Sequence, residues 1–362
     1  MQERFYLAVN LASEFDYRIF AMKNLNAMKR IVKMFMIVTV IFAAVSCKNS
    51  GKSLLPNVAG KAGEVLVVLD KGYWDTGVGN DVRDVLARPC EYLPQMEPMY
   101  SLVDISPGTF TDMFKYHRNI LIFNIDPSVQ NQGIVYRNDV WAHPQCVIQV
   151  NASNADSAAV VFSENSEIIT STLDQAERNR IIANNIQYEE KELCPEVEHM
   201  LGGKLHFPYG YELKKKTSNF LWFEDERQYT LQGIFVYKYP VDSKDTTVFN
   251  VKNIVAKRNE FLKENVPGMF DNTYMTTSEY ITPGVKYLKY HGMEFVETRG
   301  LWEVFNDYMG GPFVSHSFYS QDGKEIIVLE AWVYAAKYDK RQYLRQAESI
   351  LYSFSWNKVA EK

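Results

Sequence analysis

The sequence lacks the signatures that would name an activity. It holds no Gly-x-Ser-x-Gly elbow, no His-Glu-x-x-His helix and no paired Cys-x-x-Cys, so the elbow hydrolases, the zincin proteases and the four-cysteine zinc folds are without their motifs. Gly51-Lys52-Ser53 ends like a phosphate-binding loop, but the glycine required five places before Gly51 is Ser46. Gly77-Val-Gly79 begins like a dinucleotide fingerprint, but position 82 is Val82. No cofactor and no metal are expected, and no catalytic residue can be named. Basic charge is also short, at 39 Lys+Arg against 44 Asp+Glu. A nucleic-acid partner would favour a basic face, so none is expected. The longest apolar run, Met34 to Val45, is 12 residues, where a helix needs roughly 20 to span a bilayer.

That short run is the most informative segment. Lys29, Arg30 and Lys33 precede it, and Ala44-Val45-Ser46-Cys47 follows it. A basic start, an apolar stretch and small residues at a cleavage point are the layout of an export signal. Ala44-Val-Ser-Cys47 resembles a bacterial lipobox, with Ala44 where leucine is usual, which implies a lipid on Cys47 as the first mature residue. Residues 1–27 carry Glu3, Glu14 and Asp16, unlike a signal's basic start. They are expected to be an over-extended start, with Met28 or Met22 the true one. Residues 1–46 hold six basic and three acidic residues, so the mature chain carries 33 against 41. That acidic balance gives no electrostatic grip on anionic lipid, so attachment rests on acyl chains. Lys48-Asn-Ser-Gly-Lys52 is basic, whereas surface lipoproteins of similar bacteria carry an acidic patch after the cysteine. The expected place is the periplasmic face, at the inner leaflet of the outer membrane. Residues 47–62, rich in Gly, Ser, Lys and Asn, read as a flexible tether.

The rest reads as α+β. Residues 63–202 alternate apolar runs and helical patterns. Strands are expected at Glu64–Leu69, Ser101–Ile105, Asn119–Ile125 and Cys146–Val150, with a helix over residues 80–87 and a short one over 107–116. This is a small α/β layer. A long helical stretch over residues 163–201, with Ile182, Ile186, Leu193, Val197 and Leu201 inward, is expected to break at Pro195. Residues 203–356 read as an antiparallel α+β sandwich. Its strands are Leu205–Phe207, Phe220–Phe223, Ile234–Tyr239, Met293–Thr298, Leu301–Asn306, Phe313–Tyr319 and Glu325–Tyr334. Its helices cover about 251–264 and 339–354. Cys90, Cys146 and Cys194 are an odd set for an oxidising compartment; one disulfide with one thiol, or three thiols, both fit.

Several clusters could carry chemistry. Cys194, Glu196, His199 and His206 are the densest set of possible metal donors, but a solvated helix end explains them equally. Asp156-Ser157-Ala158 and Asp245-Thr246-Thr247 match a short O-glycosylation pattern, making Ser157 and Thr246 candidate sites. Gly310-Gly311-Pro312 between two apolar strands suggests a sharp bend with a positive φ at Gly310 or Gly311. With Arg299, Trp302 and Asp307 flanking it, the segment reads either as a buried turn or as a ligand-facing loop.

The lipobox, Tyr209-Gly-Tyr-Glu-Leu213, Phe220-Leu-Trp222, Met309-Gly-Gly-Pro-Phe313 and Trp332-Val-Tyr-Ala-Ala-Lys337 together resemble the Bacteroidota lipoproteins grouped as domain of unknown function 4837. The resemblance covers nearly the whole mature chain and implies no activity. The expected role is a non-enzymatic binding or structural module of the envelope, partnered by an envelope protein or cell-wall component. A hydrolase of envelope glycan or peptide, using Glu303 and Asp307, is the alternative.

Overall fold

The computed structural model describes residues 55–242 and 247–357. From Pro56 onward the chain forms one compact unit built on two main sheets. In the first, β1 (Glu64–Val68), β2 (Ser101–Ile105), β3 (Asn119–Ile125), β4 (Gly133–Asn138) and β5 (Cys146–Ala152) lie in the order β2-β1-β3-β5-β4. All pairings are parallel except that of β4 with β5. Parallel strands covered on both faces carry unbroken apolar runs, and Val65 to Val68 are all buried.

The helices of this half are α1 (Lys71–Trp74), α2 (Gly77–Leu86), α3 (Asp112–Lys115), α4 (Ala155–Glu164), α5 (Ser166–Gln187) and α6 (Cys194–Leu201). Val82 and Leu86 of α2, Phe162 of α4, and Ile169 and Leu173 of α5 pack together over one face. Phe110, Phe114 and Trp141 close the other over Leu66, Val68, Ile120 and Val147.

The second half holds β6 (Gly203–Lys204), β7 (Glu212–Lys216), β8 (Phe220–Arg227), β9 (Thr230–Pro240), α7 (Val251–Asn265), β10 (Met275–Thr277), β11 (Gly284–Tyr290), β12 (Met293–Val304), β13 (Gly310–Tyr319), β14 (Glu325–Ala335), α8 (Arg341–Tyr352) and β15 (Ser355–Trp356). The large sheet runs β10-β12-β13-β14-β9-β8-β7, with β11 also on β12. Every pairing in it is antiparallel. Successive side chains of a strand point to opposite faces, and both faces here are covered. On one, Leu344, Ala347, Ile350 and Leu351 of α8 meet Ile327, Leu329, Ala331 and Val333 of β14. On the other, Phe261 and Leu262 of α7 meet Phe235, Tyr237, Val328 and Trp332. The chain is thus α+β, an α/β layer followed by an antiparallel sheet between helices.

The helical stretch over residues 163–201 is three helices rather than one divided at Pro195. Asn165 ends α4 and starts α5. Pro195 lies in the first turn of α6, where its missing N–H costs nothing. Ile186 is exposed rather than inward. Met293 to Val304 is one strand, because Gly300 stays in register opposite Phe313 instead of breaking it. Leu205 and Phe207 are buried without forming a strand. Of the segment 47–62, the part from Pro56 on is a strap against the first sheet, not a free tether. Ala59 N donates to Tyr116 O at 2.7 Å, Arg118 N donates to Ala59 O at 3.0 Å, and His143 N donates to Pro56 O at 2.9 Å. Cys90, Cys146 and Cys194 are all free thiols, and burial pushes the Cys146 thiol up to about 11.

Candidate functional site

Arg299 and Trp302 do not share a site. Three places apart on β12, they point to opposite faces. Trp302 lies in the α7-side core, edge-on to Trp332 with ring centroids 5.2 Å apart, and its indole N–H donates to Val333 O at 3.2 Å. Arg299 turns to the α8 side and pairs with Glu297 and Glu348. Asp307 sits in the turn after β12, where its Oδ1 accepts from Tyr308 N at 2.6 Å. Glu303 faces Gly310 across the β12–β13 ladder.

The bend expected at Gly310 or Gly311 is absent. Both glycines lie within β13 and neither has a positive φ; the left-handed residue is Asn306, φ 62°, a type that tolerates that region. What Gly311 supplies is space. A Cβ there would stand 2.0 Å from Val333 O and 3.1 Å from Trp302 Nε1, blocking the hydrogen bond that the indole makes.

The other candidates are dispersed. Ser157 is half-buried in the first turn of α4, its N–H capped by Asn154. Cys47 and Thr246 fall outside the described residues. Glu196 pairs with Lys216, and His206 Nδ1 lies 2.6 Å from Glu189 Oε1, so these possible metal donors are engaged apart from one another.

The structure instead assembles a site around Arg299's partners on the α8 side. Glu297 and His316 face each other across β12 and β13. Arg299 Nε donates to Glu297 Oε1 at 2.7 Å and its Nη2 to Oε2 at 3.1 Å. The Tyr352 hydroxyl donates to Oε2 at 3.2 Å. Burial opposes the Glu297 charge, but Arg299 outweighs it and holds the carboxyl below its ordinary range. Arg178, reaching over from α5, lies 3.5 Å from the Tyr352 ring centroid. Two arginines and two carboxylates therefore balance behind one wall.

His316 is fully buried. Its ring lies against Phe295, centroids 4.2 Å apart, and edge-on to Tyr352 at 4.6 Å. Burial pushes its pKa down to about 3; Glu297 opposes this, while Arg299 and Arg178 add to it. The ring is therefore neutral at physiological pH, with one N–H donor and one acceptor nitrogen. Neither nitrogen has a hydrogen-bond partner among the described residues. Glu297 Oε2 stands 3.9 Å from Nε2, beyond hydrogen-bonding reach. Buried polar groups left this way cost about 1–3 kcal/mol each, and both nitrogens are shielded from solvent.

The imidazole forms part of the wall of a cavity of about 180 Å³, with Tyr290, Phe295, Tyr352, Phe354 and Trp356. Exposed His291 and Ser355 also line it. His291 (φ 47°) and Gly292 (φ 84°) form the two-residue turn between β11 and β12, whose positive φ values match a type I′ hairpin. Sequence reasoning missed this site. The available signal was Val314-Ser-His316-Ser-Phe318, a histidine on the apolar side of an alternating strand.

Residues 190–353 match the family described as Domain of unknown function (DUF4837). The family segment contains the Tyr209, Phe220, Met309 and Trp332 motifs and seven of the ten residues that line the cavity. The resemblance does not extend over the whole mature chain, because residues 58–186 match a different family, Domain of unknown function (DUF8532). No curated protein matches. A solved structure from Bacteroides thetaiotaomicron VPI-5482, at 1.50 Å resolution, is similar over 44% of this chain and 47% of its own. Its identity is 10% and its TM-score 0.25, a likeness that assigns neither fold nor function. The chain thus spans about half the length of that structure. Among the described residues, no helix is long and apolar enough to cross a membrane.

Proposed function

We propose that the protein is a lipid-anchored binding module of the cell envelope, held by acyl chains on Cys47 at the periplasmic face. The observation that carries the binding role is the aromatic-walled cavity of about 180 Å³ between Tyr290, Phe295, Tyr352, Phe354 and Trp356. Pockets that bind ligands are mostly apolar with a few placed polar groups, and this one has that composition. Glu297 is already held by Arg299 and Tyr352, which suits a wall that positions His316 rather than a base that reacts. The anchor rests on the basic, apolar, small-residue and cysteine order ending at Cys47. Lys48 and Lys52 after the cysteine favour retention facing the periplasm.

The anchor is tested by Cys47→Ser, which is expected to abolish palmitate labelling and release the protein from the membrane fraction; unchanged labelling would refute it. The binding role is tested by comparing what the tagged wild-type protein and a cavity-filled Met293→Trp variant retain from solubilised envelope. Met293 is half-buried in the cavity wall. Retention of one component by the wild type, and its loss in the variant, is expected. Identical profiles would remove the cavity from the function.

A further inference from the structure

We infer that His117 is a pH-sensitive latch: its doubly protonated ring holds the strap from Pro56 to Gly63 closed, and loss of one ring proton as pH rises frees the strap.

The ring stands between two acceptors. Its Nδ1 lies 3.0 Å from the backbone oxygen of Asn119, and its Nε2 lies 2.8 Å from Glu64 Oε1. Both are hydrogen-bonding distances. A carbonyl oxygen and an ionised carboxylate only accept. The Glu64 carboxyl is held in that form: burial opposes its charge, but the bonds from His117 and from Lys61 N outweigh burial and keep it below the ordinary carboxylate range. A neutral imidazole carries one N–H, and the imidazolium carries two. Only the charged ring can donate to both partners. Once a proton leaves, one nitrogen turns a lone pair toward an oxygen, and the ring relieves that contact by moving.

The strap is what the ring moves against. Gly60 lies directly on it: φ there is 87°, and a Cβ would stand 2.4 Å from His117 Nε2. Ala59 pairs with His117 itself. The two backbone bonds that fasten the strap lie on either side of the histidine, Ala59 N donating to Tyr116 O and Arg118 N to Ala59 O. Lys61 N also donates to Glu64 Oε1, at 3.3 Å, so one carboxylate holds both ring and strap. A turn of the ring therefore disturbs Gly60 and both fastening bonds together.

The other charges around the ring are engaged with one another. Glu177, on α5, forms ion pairs with Arg118 and Arg180 and reaches the latch only through Asn119, whose Nδ2 donates to Glu177 Oε1 and to Glu64 O. Arg180 also donates to Arg118 O and to Asn119 Oδ1. The Lys61 ammonium adds to the field that keeps Glu64 ionised. His143, whose N–H holds the Pro56 end of the strap, faces Asp139, Nδ1 to Oδ2 at 3.0 Å. His117 is buried, so solvent is poorly placed to replace a bond the ring loses. With the anchor proposed above, an open latch adds residues 56–63 to the span between Cys47 and β1; the latch itself does not depend on the anchor.

The test is amide hydrogen exchange on the full chain in detergent between pH 5 and 8.5, corrected for intrinsic rates. It is read at Ala59 and Arg118 and referenced to Leu344, whose N–H donates to Lys340 O in α8. Strap protection is expected to fall about tenfold as pH rises, while that of Leu344 does not fall. In Glu64→Gln the side-chain amide can donate to a neutral ring, so strap protection is expected to stay within about twofold over the same range. Nitrogen NMR of the His117 ring in wild type is expected to show two N–H groups at pH 5 and one at pH 8.5. The inference is overturned if strap protection in wild type does not change with pH, or if Leu344 loses protection in step with it. It is also overturned if Glu64→Gln shows the wild-type fall, or if the His117 ring is already neutral at pH 5.

Discussion

The Glu97 carboxylate caps the helix whose N-cap residue, Lys340, lies 243 residues later. Its Oε1 accepts from Lys340 N at 2.7 Å and its Oε2 from Arg341 N at 2.8 Å. Glu97 is buried in a loop of the N-terminal half, and an anion at a helix N-terminus satisfies donors that lack intrahelical partners. The same helix, α8, ends in Leu351 and Tyr352 on the cavity wall.

Glu97→Ala should therefore lower stability by about 1–2 kcal/mol, the cost of losing a helix cap. Urea unfolding measures this. A variant as stable as wild type would show that water replaces the cap without loss.

His316 predicts a pH dependence. An ordinary histidine titrates near 6.5, and this one is pushed down to about 3 by burial. Between those values the unfolded chain takes up a proton that the folded chain refuses. Stability should therefore fall with falling pH, by about 1.4 kcal/mol per pH unit from this group. Above pH 6.5 the group contributes no slope. His316→Phe should be at least as stable as wild type at pH 7, because it removes two unmet polar atoms. It should also lose less stability between pH 6.5 and 5. Parallel stability curves for the two proteins would sink the prediction.

Arg258 and Glu330 form a fully buried ion pair between α7 and β14, at 2.7 Å and 2.9 Å, and the guanidinium also lies 3.9 Å from the Phe313 ring centroid. Glu330→Leu alone should cost about 3–5 kcal/mol, because it strands a buried charge. The double variant Arg258→Met, Glu330→Leu should recover most of that loss. A double-mutant cycle reads the coupling. A single variant that unfolds at wild-type urea concentration would mean that the arginine finds another partner.

Gly311→Ala should cost about 1–3 kcal/mol through overpacking, since the added methyl would meet Val333 O. Trp302 fluorescence should shift as its indole leaves that carbonyl. An unchanged melting temperature and spectrum would show that β13 slides to make room.

The fold was legible where one physical signal dominated. Val65 to Val68 announces a buried strand because nothing polar interrupts it, and the order of elements led to the α+β class. The polar edge strands β7 and β11 were missed because Glu212-Leu-Lys-Lys-Lys216 and Lys286-Tyr-Leu-Lys289 look like solvated loops. Arg299 was singled out for the wrong neighbours: closeness in sequence suggested Trp302, while strand alternation sends the two apart and gives Arg299 to Glu297 and Glu348. His316 drew no attention, because only the packing of α8 over its strand removes it from water. Nothing local in the chain could join Glu97 to Lys340.

The strap at Pro56 sets a mechanical limit. If Cys47 carries the proposed anchor, eight residues lie between the lipid and the first pinned position, a reach of at most about 30 Å. On that proposal the folded body could not range far from its patch of bilayer. Its search for partners would then be two-dimensional, at the speed of lipid diffusion, and a force on the anchor would be borne first by the bond from His143 N to Pro56 O.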